Sequence, residues 1–218
     1  MHRRTVLTLP LLTVAGATPL THITHAQAQA QAPATVLTRV ETSVGSLVIA
    51  VDPSRAPVTV ANYLAYVDAG SLDGGSVYRI VTPANQSDET KHKISVVQWG
   101  INLADEAKPP RPPIAHETTQ QTGLRHLDGT VSMARNGPGT AATEFFICIG
   151  DQPELDFGGR RNPDGQGFAA FGQVVAGGDV LQALYRLGQA LQYVKPPVAV
   201  LTVRRVRAEE VEATSNKR

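Results

Sequence analysis

The side chains that could serve as nucleophile, base or metal ligand are few and far apart. Beyond the N-terminal segment the histidines are His92, His116 and His126, each in a polar stretch, and none is spaced with a serine or cysteine as a base with its nucleophile. Ser132 precedes Met133 and lacks the glycine frame that exposes a nucleophile on a strand-to-helix turn. The one cysteine, Cys148, stands between Ile147 and Ile149, the setting of a small buried hydrophobe, and by itself it can form no internal disulfide. A phosphate-binding glycine loop, a dinucleotide fingerprint and a Cys/His cluster with metal spacing are all missing. The chemistry that remains uses no covalent intermediate, no cofactor and no metal.

Binding is better represented, in the stretch from Asp128 to Ile149. Its middle, Asn136-Gly137-Pro138-Gly139-Thr140, is dense in residues that fix turns, and strand-like runs flank it at Thr130 to Met133 and Glu144 to Ile149. A rigid loop between two strands can present backbone groups to an extended peptide. An ordinary long hairpin is the other reading of the same pattern.

The elements that must position this stretch follow from periodicity. Val36 to Glu41 and Ser46 to Val51 read as a hairpin around Ser43-Val44-Gly45. Pro57 to Ala69 reads as a helix with Pro57 in its first turn, Gly70 beyond its end, and Val60, Tyr63, Leu64 and Val67 on the buried face. Short strands are expected at Ser76 to Val81 and Ser95 to Gly100, separated by a solvated polar loop from Thr82 to Lys93. Lys108 to Pro113 carries four prolines and makes a stiff connector. The glycine-rich loop Asp156 to Gly167 leads to a strand from Phe168 to Val174, then to a helix from Asp179, as its cap, to Leu187. A last strand, Val198 to Val206, precedes a charged tail from Arg207 that is expected to fray. Two strands, a helix, many short strands, a helix and a strand suggest an antiparallel barrel covered by helices, since closure leaves no exposed edge.

Residues 1–32 read as a secretory signal peptide: Arg3 and Arg4, an apolar run from Val6 to Gly16, and small residues that allow cleavage after Ala28, Ala30 or Ala32. The apolar run is too short and interrupted for a permanent span, so no stable membrane insertion is expected after cleavage; an uncleaved anchor is the alternative. The Arg pair weakly resembles a twin-arginine signal, so export by the Sec or the twin-arginine route, to the periplasm, is the expectation. The whole chain has a net charge of +1 and the leader holds two arginines and no acid, so residues 33–218 are near −1 and nothing favours nucleic acid. Those residues suffice for one domain with a real core.

Five ordered pieces carry a family resemblance: Tyr78-Arg79-Ile80-Val81, Gln98-Trp99-Gly100, Ser132-Met133-Ala134-Arg135-Asn136, Glu144-Phe145-Phe146-Ile147 and Phe168-Ala169-Ala170-Phe171-Gly172. Together they resemble the cyclophilin-type peptidyl-prolyl cis-trans isomerases over essentially all of residues 33–218. The resemblance implies a mainly β fold, a closed eight-stranded antiparallel barrel capped by two α-helices, with a proline-binding groove on its outer face. It implies Arg79 as the catalytic residue, Gln98 to orient it, and Phe146 and Leu155 as floor and wall of the proline pocket. Tyr78, Val96, Ala134, Arg135, Glu144 and Phe168 complete the implied substrate-binding set, Ala134 and Arg135 through their backbone. Ser95 stands where an aromatic residue is common, Val96 where Met is, Glu144 where Gln is, and Glu154 where some members have Trp.

Strand alternation makes Glu144 and Phe146 face the same way, and the resemblance implies that the Arg79 guanidinium lies within reach of the Glu144 carboxylate across the groove. Trp99 could refill the proline pocket from the side, although its large ring more often belongs to a core. The implied activity is rotation of Xaa-Pro bonds in exported proteins by a monomer whose partners are proline-containing segments of unfolded or folding chains. A non-catalytic peptide binder or chaperone using the same groove is the alternative.

Overall fold

The computed structural model describes residues 35–102 and 108–215; the signal-peptide reading of residues 1–32 falls outside them. The strands are β1 (Val36–Thr42), β2 (Gly45–Val51), β3 (Ser76–Val81), β4 (Val96–Gly100), β5 (Thr130–Met133), β6 (Glu144–Cys148), β7 (Ala169–Ala176) and β8 (Tyr193–Val206). They pair antiparallel into a closed barrel in the order β1-β2-β7-β5-β6-β4-β3-β8, and β8 pairs with β1 to complete it. The helices are α1 (Pro57–Asp68), α2 (Thr119–Thr122), α3 (Gly178–Tyr185) and α4 (Ala208–Ser215).

Alternation along the strands separates the barrel interior from the outer groove. On β6, Phe145 and Ile147 join the main core, while Phe146 and Cys148 join a second, smaller cluster with Val81, Ile94, Val96 and Leu155. On β4, Val97 and Trp99 point inward and Val96 outward. The two-residue period of a strand makes this division unavoidable once one residue is placed. Trp99 is therefore core, 2% exposed, packed among Tyr63 and Phe145 and not in the smaller cluster with Phe146 and Leu155.

Helix α1 buries the expected face, whereas α3 ends at Tyr185, two residues before the expected Leu187, which is exposed. Val60, Tyr63, Leu64 and Val67 of α1 are in the main core, as are Val180, Leu181 and Leu184 of α3. The start of α1 is capped from a distance: the Glu117 carboxylate accepts from the backbone N–H of Val58 and Thr59 and from the Thr59 hydroxyl, where a negative charge also suits the helix dipole. Asp179 is not the cap of α3; it sits in the first turn, and Gly177 at φ +82° takes the cap position. There the backbone lies so close to β2 that a Cβ would meet the Ser46 carbonyl oxygen at 2.3 Å, so only glycine fits.

Two helices were not anticipated. α2 is a single turn closed by a reciprocal capping box between Thr118 and Gln121 and ended by Gly123 at φ +68°. α4 replaces the expected frayed tail; Glu209 and Glu210 in its first turn favour the dipole, and Arg39 Nη2 donates to the Glu210 carbonyl. The loop from Thr82 to Lys93 is also less solvated than its composition implies. Gln86 is buried there, its amide bridging the Thr82 carbonyl and both backbone groups of Ile94.

Candidate active site

The groove-forming strands are β3, β4 and β6, and an irregularity in β3 decides what they present. Val77 pairs with Trp99 and Arg79 with Gln98, so Tyr78 and Arg79 together oppose one residue of β4. Such a bulge places two successive side chains on nearly one side. Tyr78 and Arg79 accordingly both line the groove and both bond to Gln98, while Val77 and Ile80 on either side enter the core.

The groove has a volume of about 530 Å³. Each residue implied by the resemblance lies on its wall: Tyr78, Arg79, Val96, Gln98, Ala134, Arg135, Glu144, Phe146, Leu155 and Phe168. The reading of the sequence missed Ile94, Arg161, Asn162 and Tyr193 on that wall. Ile94 compensates for Ser95, which faces away: the Ser95 N–H donates to Gln152 Oε1 and its carbonyl accepts from Ile149. The apolar pocket is then made by Ile94, Val96, Phe146 and Leu155, with Phe168 edge-on to Phe146 at 5.3 Å.

Arg79 is held by two amides. Its Nη1 donates to Gln98 Oε1 at 2.9 Å, while Nε and Nη2 both donate to Gln192 Oε1, at 2.9 and 2.5 Å. A guanidinium has five N–H groups, so these bonds leave one on each terminal nitrogen. Gln192 arrives because β8 reaches further back than expected. Residue 193 pairs with Arg79 and residue 198 with Val77, so the proline-containing residues between them bulge out, and the Gln192 carbonyl accepts from the Ile80 N–H. Pro196 and Pro197 lie in the bulge, where no ladder N–H is needed. Gln192 Nε2 donates to the Asn85 carbonyl, which fixes which end of its amide faces Arg79.

Glu144 does share the groove face with Phe146, but its carboxylate does not meet Arg79. Among the described residues no ion pair joins the two; the carboxylate packs over Gly100, near the Thr143 hydroxyl and the Tyr78 hydroxyl. Glu144 lies two strand positions from the row that holds Gln98 and Phe146, opposite Gly100. The contact is indirect, from Arg79 to Gln98, from Gln98 Nε2 to the Tyr78 hydroxyl, and from there to Glu144. Burial raises the pKa of Glu144, partly offset by Tyr78 and Thr143, and burial together with the Glu144 charge raises that of Tyr78.

Beneath the pocket floor, Ser132, His126 and Asp156 stand in a row. His126 Nε2 is 2.9 Å from Ser132 Oγ and Nδ1 is 2.8 Å from Asp156 Oδ1. The order is that of an acyl-transfer triad, but Ser132 is 0% and His126 1% exposed, so no substrate can reach them. Burial lowers the pKa of His126; the neutral ring then donates from Nδ1 to the carboxylate and accepts from the serine. Its ring stacks on Phe146 at 5.9 Å, so the row supports the floor of the pocket. Cys148 is buried in the same cluster and its thiol pKa is raised by burial, in keeping with a packing role.

The loop from Ala134 to Thr140 forms another wall. The Thr140 hydroxyl accepts from the Asn136 and Gly137 N–H groups and donates to the Gly137 carbonyl, and the Ala134 N–H is taken by the Glu144 carbonyl. The Arg135 side chain is 1% exposed: it forms a bidentate pair with Asp164, donates to the Gly167 carbonyl and lies 5.1 Å from the Phe168 ring centroid. It thus ties the glycine-rich loop to this wall. Glu154 turns away from the groove to Arg160 and His92, and Arg160 holds its carboxyl down to about 2.

Comparisons with known proteins agree with this geometry. The family model described as cyclophilin type peptidyl-prolyl cis-trans isomerase/CLD matches residues 37–207. A peptidyl-prolyl cis-trans isomerase of Streptomyces antibioticus is 35% identical over 145 residues, 66% of this chain and 79% of that protein. Another, from Dickeya dadantii, is 36% identical over 141 residues, 64% of this chain and 65% of that protein. In fold, the chain resembles a Cryptosporidium parvum cyclophilin crystallised in the presence of the dipeptide Ala-Pro, with a TM-score of 0.63, 17% identity, and coverage of 78% of this chain and 99% of that one. With a family match that spans the barrel from β1 to the end of β8 and a groove lined as that family's sequence pattern implies, the chain belongs to the cyclophilin-type peptidyl-prolyl cis-trans isomerases.

Proposed function

We propose that this isomerase serves the folding of exported proteins in the periplasm, as a monomer, and that Arg79 is its catalytic residue. The observation that carries the assignment is the guanidinium held by Gln98 and Gln192 on the wall of the same groove as the apolar pocket of Ile94, Val96, Phe146 and Leu155. Rotation about an Xaa-Pro bond costs about 18–20 kcal/mol because amide resonance must be broken. Binding the twisted amide better than either planar form lowers that barrier without a nucleophile. As the bond twists, the proline nitrogen pyramidalises and gains a lone pair. The N–H groups that Arg79 keeps for substrate can donate to it and to the neighbouring carbonyl. The pocket meanwhile grips the ring so that the rest of the peptide turns about it.

The leader supports the cellular role: a basic start, an apolar run and small residues before Pro33 are what an exported chain carries. Slow prolyl isomerisation limits the folding of many chains, which gives an exported isomerase its task. Two measurements test the proposal. Arg79→Ala should keep the circular dichroism of the parent and lower exchange on a short Xaa-Pro peptide at least tenfold; equal rates would remove Arg79 from the mechanism. Fractionation of cells that express the full chain should find a shortened form in the periplasm, and a full-length cytoplasmic product would overturn the export role.

A further inference from the structure

The glycine-rich loop between Leu155 and β7 brings a cation to the groove that the fold leaves without a counter-ion. The Arg161 N–H donates to the Glu154 carbonyl, which anchors the residue, and its Nη1 donates to Gln86 Oε1 and to the His92 carbonyl, both at 3.0 Å. Among the described residues no carboxylate lies within ion-pair distance of Arg161, and neither Nε nor Nη2 has a hydrogen-bond partner. The other arginines nearby are matched, Arg135 by Asp164 and Arg160 by Glu154. Arg161 is half-buried, and its pKa is lowered first by that burial and then by the charge of Arg79. A half-desolvated guanidinium beside a second one, with no anion, is an unfavourable arrangement unless a ligand supplies the charge.

The position of this cation relative to the proline pocket follows from the strand register. Along the β4 side of the groove, Gly100 opposite Glu144 comes first, then Gln98 opposite Phe146 and beside Arg79, then Val96, and then Ile94. Gln86, which binds Arg161, also binds both backbone groups of Ile94. Arg161 therefore stands beyond the pocket at the end away from Glu144. The groove has a carboxylate at one end, Arg79 in the middle and an unmatched guanidinium at the other end. A planar guanidinium with free donors takes a carboxylate in a two-point contact.

We propose that Arg161 is a specificity-determining residue of the groove, which selects proline-containing segments that carry an aspartate or glutamate close to the proline on the Ile94 side. This rests on the groove being the peptide site. Opposite electrostatics at Glu144 predict that an acidic residue toward that end is disfavoured.

The test uses the full chain and five peptides with one central Ala-Pro: a neutral peptide, and four with a single glutamate two before, one before, one after or two after that pair. Affinity is read by NMR titration and turnover by exchange spectroscopy. In the parent, one glutamate position should bind up to about tenfold tighter than the neutral peptide. Arg161→Gln should abolish that preference, bringing the favoured glutamate peptide to the affinity of the neutral one. Arg161→Glu should reverse it in favour of a lysine at the same position. No preferred position in the parent, or an equal loss for all five peptides in Arg161→Gln, would overturn the proposal and leave Arg161 a structural tie between two loops. Because affinity is read separately, a parent that binds but does not turn over any peptide would count against the isomerase reading and not against this one.

Discussion

If Gln192 fixes the Arg79 fork, Gln192→Ala should lower kcat for a neutral Xaa-Pro peptide by about three- to tenfold with KM nearly unchanged. The substitution removes the acceptor for Nε and Nη2 but no group that would touch the peptide. A rise in KM with kcat intact would instead make Gln192 part of the binding surface. At Glu144 a different trade operates. A glutamine there can still accept from the Tyr78 hydroxyl, which keeps the relay through Gln98 to Arg79, but it removes a negative charge from a partly buried site where positive potential helps the twisted amide. Glu144→Gln should therefore raise kcat/KM by a factor of a few, measured as exchange rate at equal peptide saturation. A marked fall would mean that the ionised carboxylate positions the tyrosine better than an amide does.

At the scale of elements, the pocket depends on β6 from above and on the loop 156–167 from the side. Phe146 is 4% exposed and stacks on His126, so Phe146→Ala should destabilise the barrel by about 3–5 kcal/mol and weaken peptide binding; chemical denaturation and titration measure the two effects separately. Unchanged affinity in a folded variant would place the proline pocket elsewhere. The loop hangs on Arg135, whose bidentate pair with Asp164 and bonds to the Gly167 carbonyl close it against the wall. Arg135→Ala should speed hydrogen exchange in residues 158–166 while leaving β1 and β2 protected as before, since the clamp's hydrogen bonds join Arg135 to Asp164 and Gly167 and involve no residue of those strands.

Over the whole molecule, the buried His126 couples stability to pH. In the unfolded chain its pKa is about 6.5, and in the fold burial holds it lower, so between the two values the unfolded state binds more protons. The stability linked to this histidine is fully present above about pH 6.5 and is lost as pH falls from there through the lowered folded value. Urea midpoints at pH 7.5 and 5.5 should show that loss in the parent, and a His126→Gln variant should show a smaller step between the same two conditions. Equal steps in both would assign the pH dependence to groups other than His126. Asp156 titrates in a separate, more acidic window: burial raises its pKa, and the bonds from His126 and Arg125 more than offset that.

What the sequence determined by itself was whatever neighbours in the chain can encode. A two-residue period put Phe145 and Ile147 on one side of β6 and Glu144 and Phe146 on the other, and the period of α1 put Val60, Tyr63, Leu64 and Val67 on one face. Turn-forming residues placed the loop at 136–140, and the family resemblance named Tyr78, Arg79, Val96, Gln98, Ala134, Arg135, Glu144, Phe146, Leu155 and Phe168, all of which the structure brings to the groove, but not Ile94, Arg161, Asn162 or Tyr193. What only the tertiary structure decided depends on which strand lies alongside which. The bulge that turns Tyr78 and Arg79 to one side appears only when β3 is laid against β4. The approach of Gln192 to Arg79, 113 residues apart, exists only because β8 is bulged beside β3. Likewise, the register of β6 on β4 sets Glu144 apart from Arg79, and a loop whose place no local pattern specifies delivers Arg161 to the groove. Periodicity is a property of adjacent residues, whereas a hydrogen bond between distant ones is fixed by the closure of the barrel that brings them together.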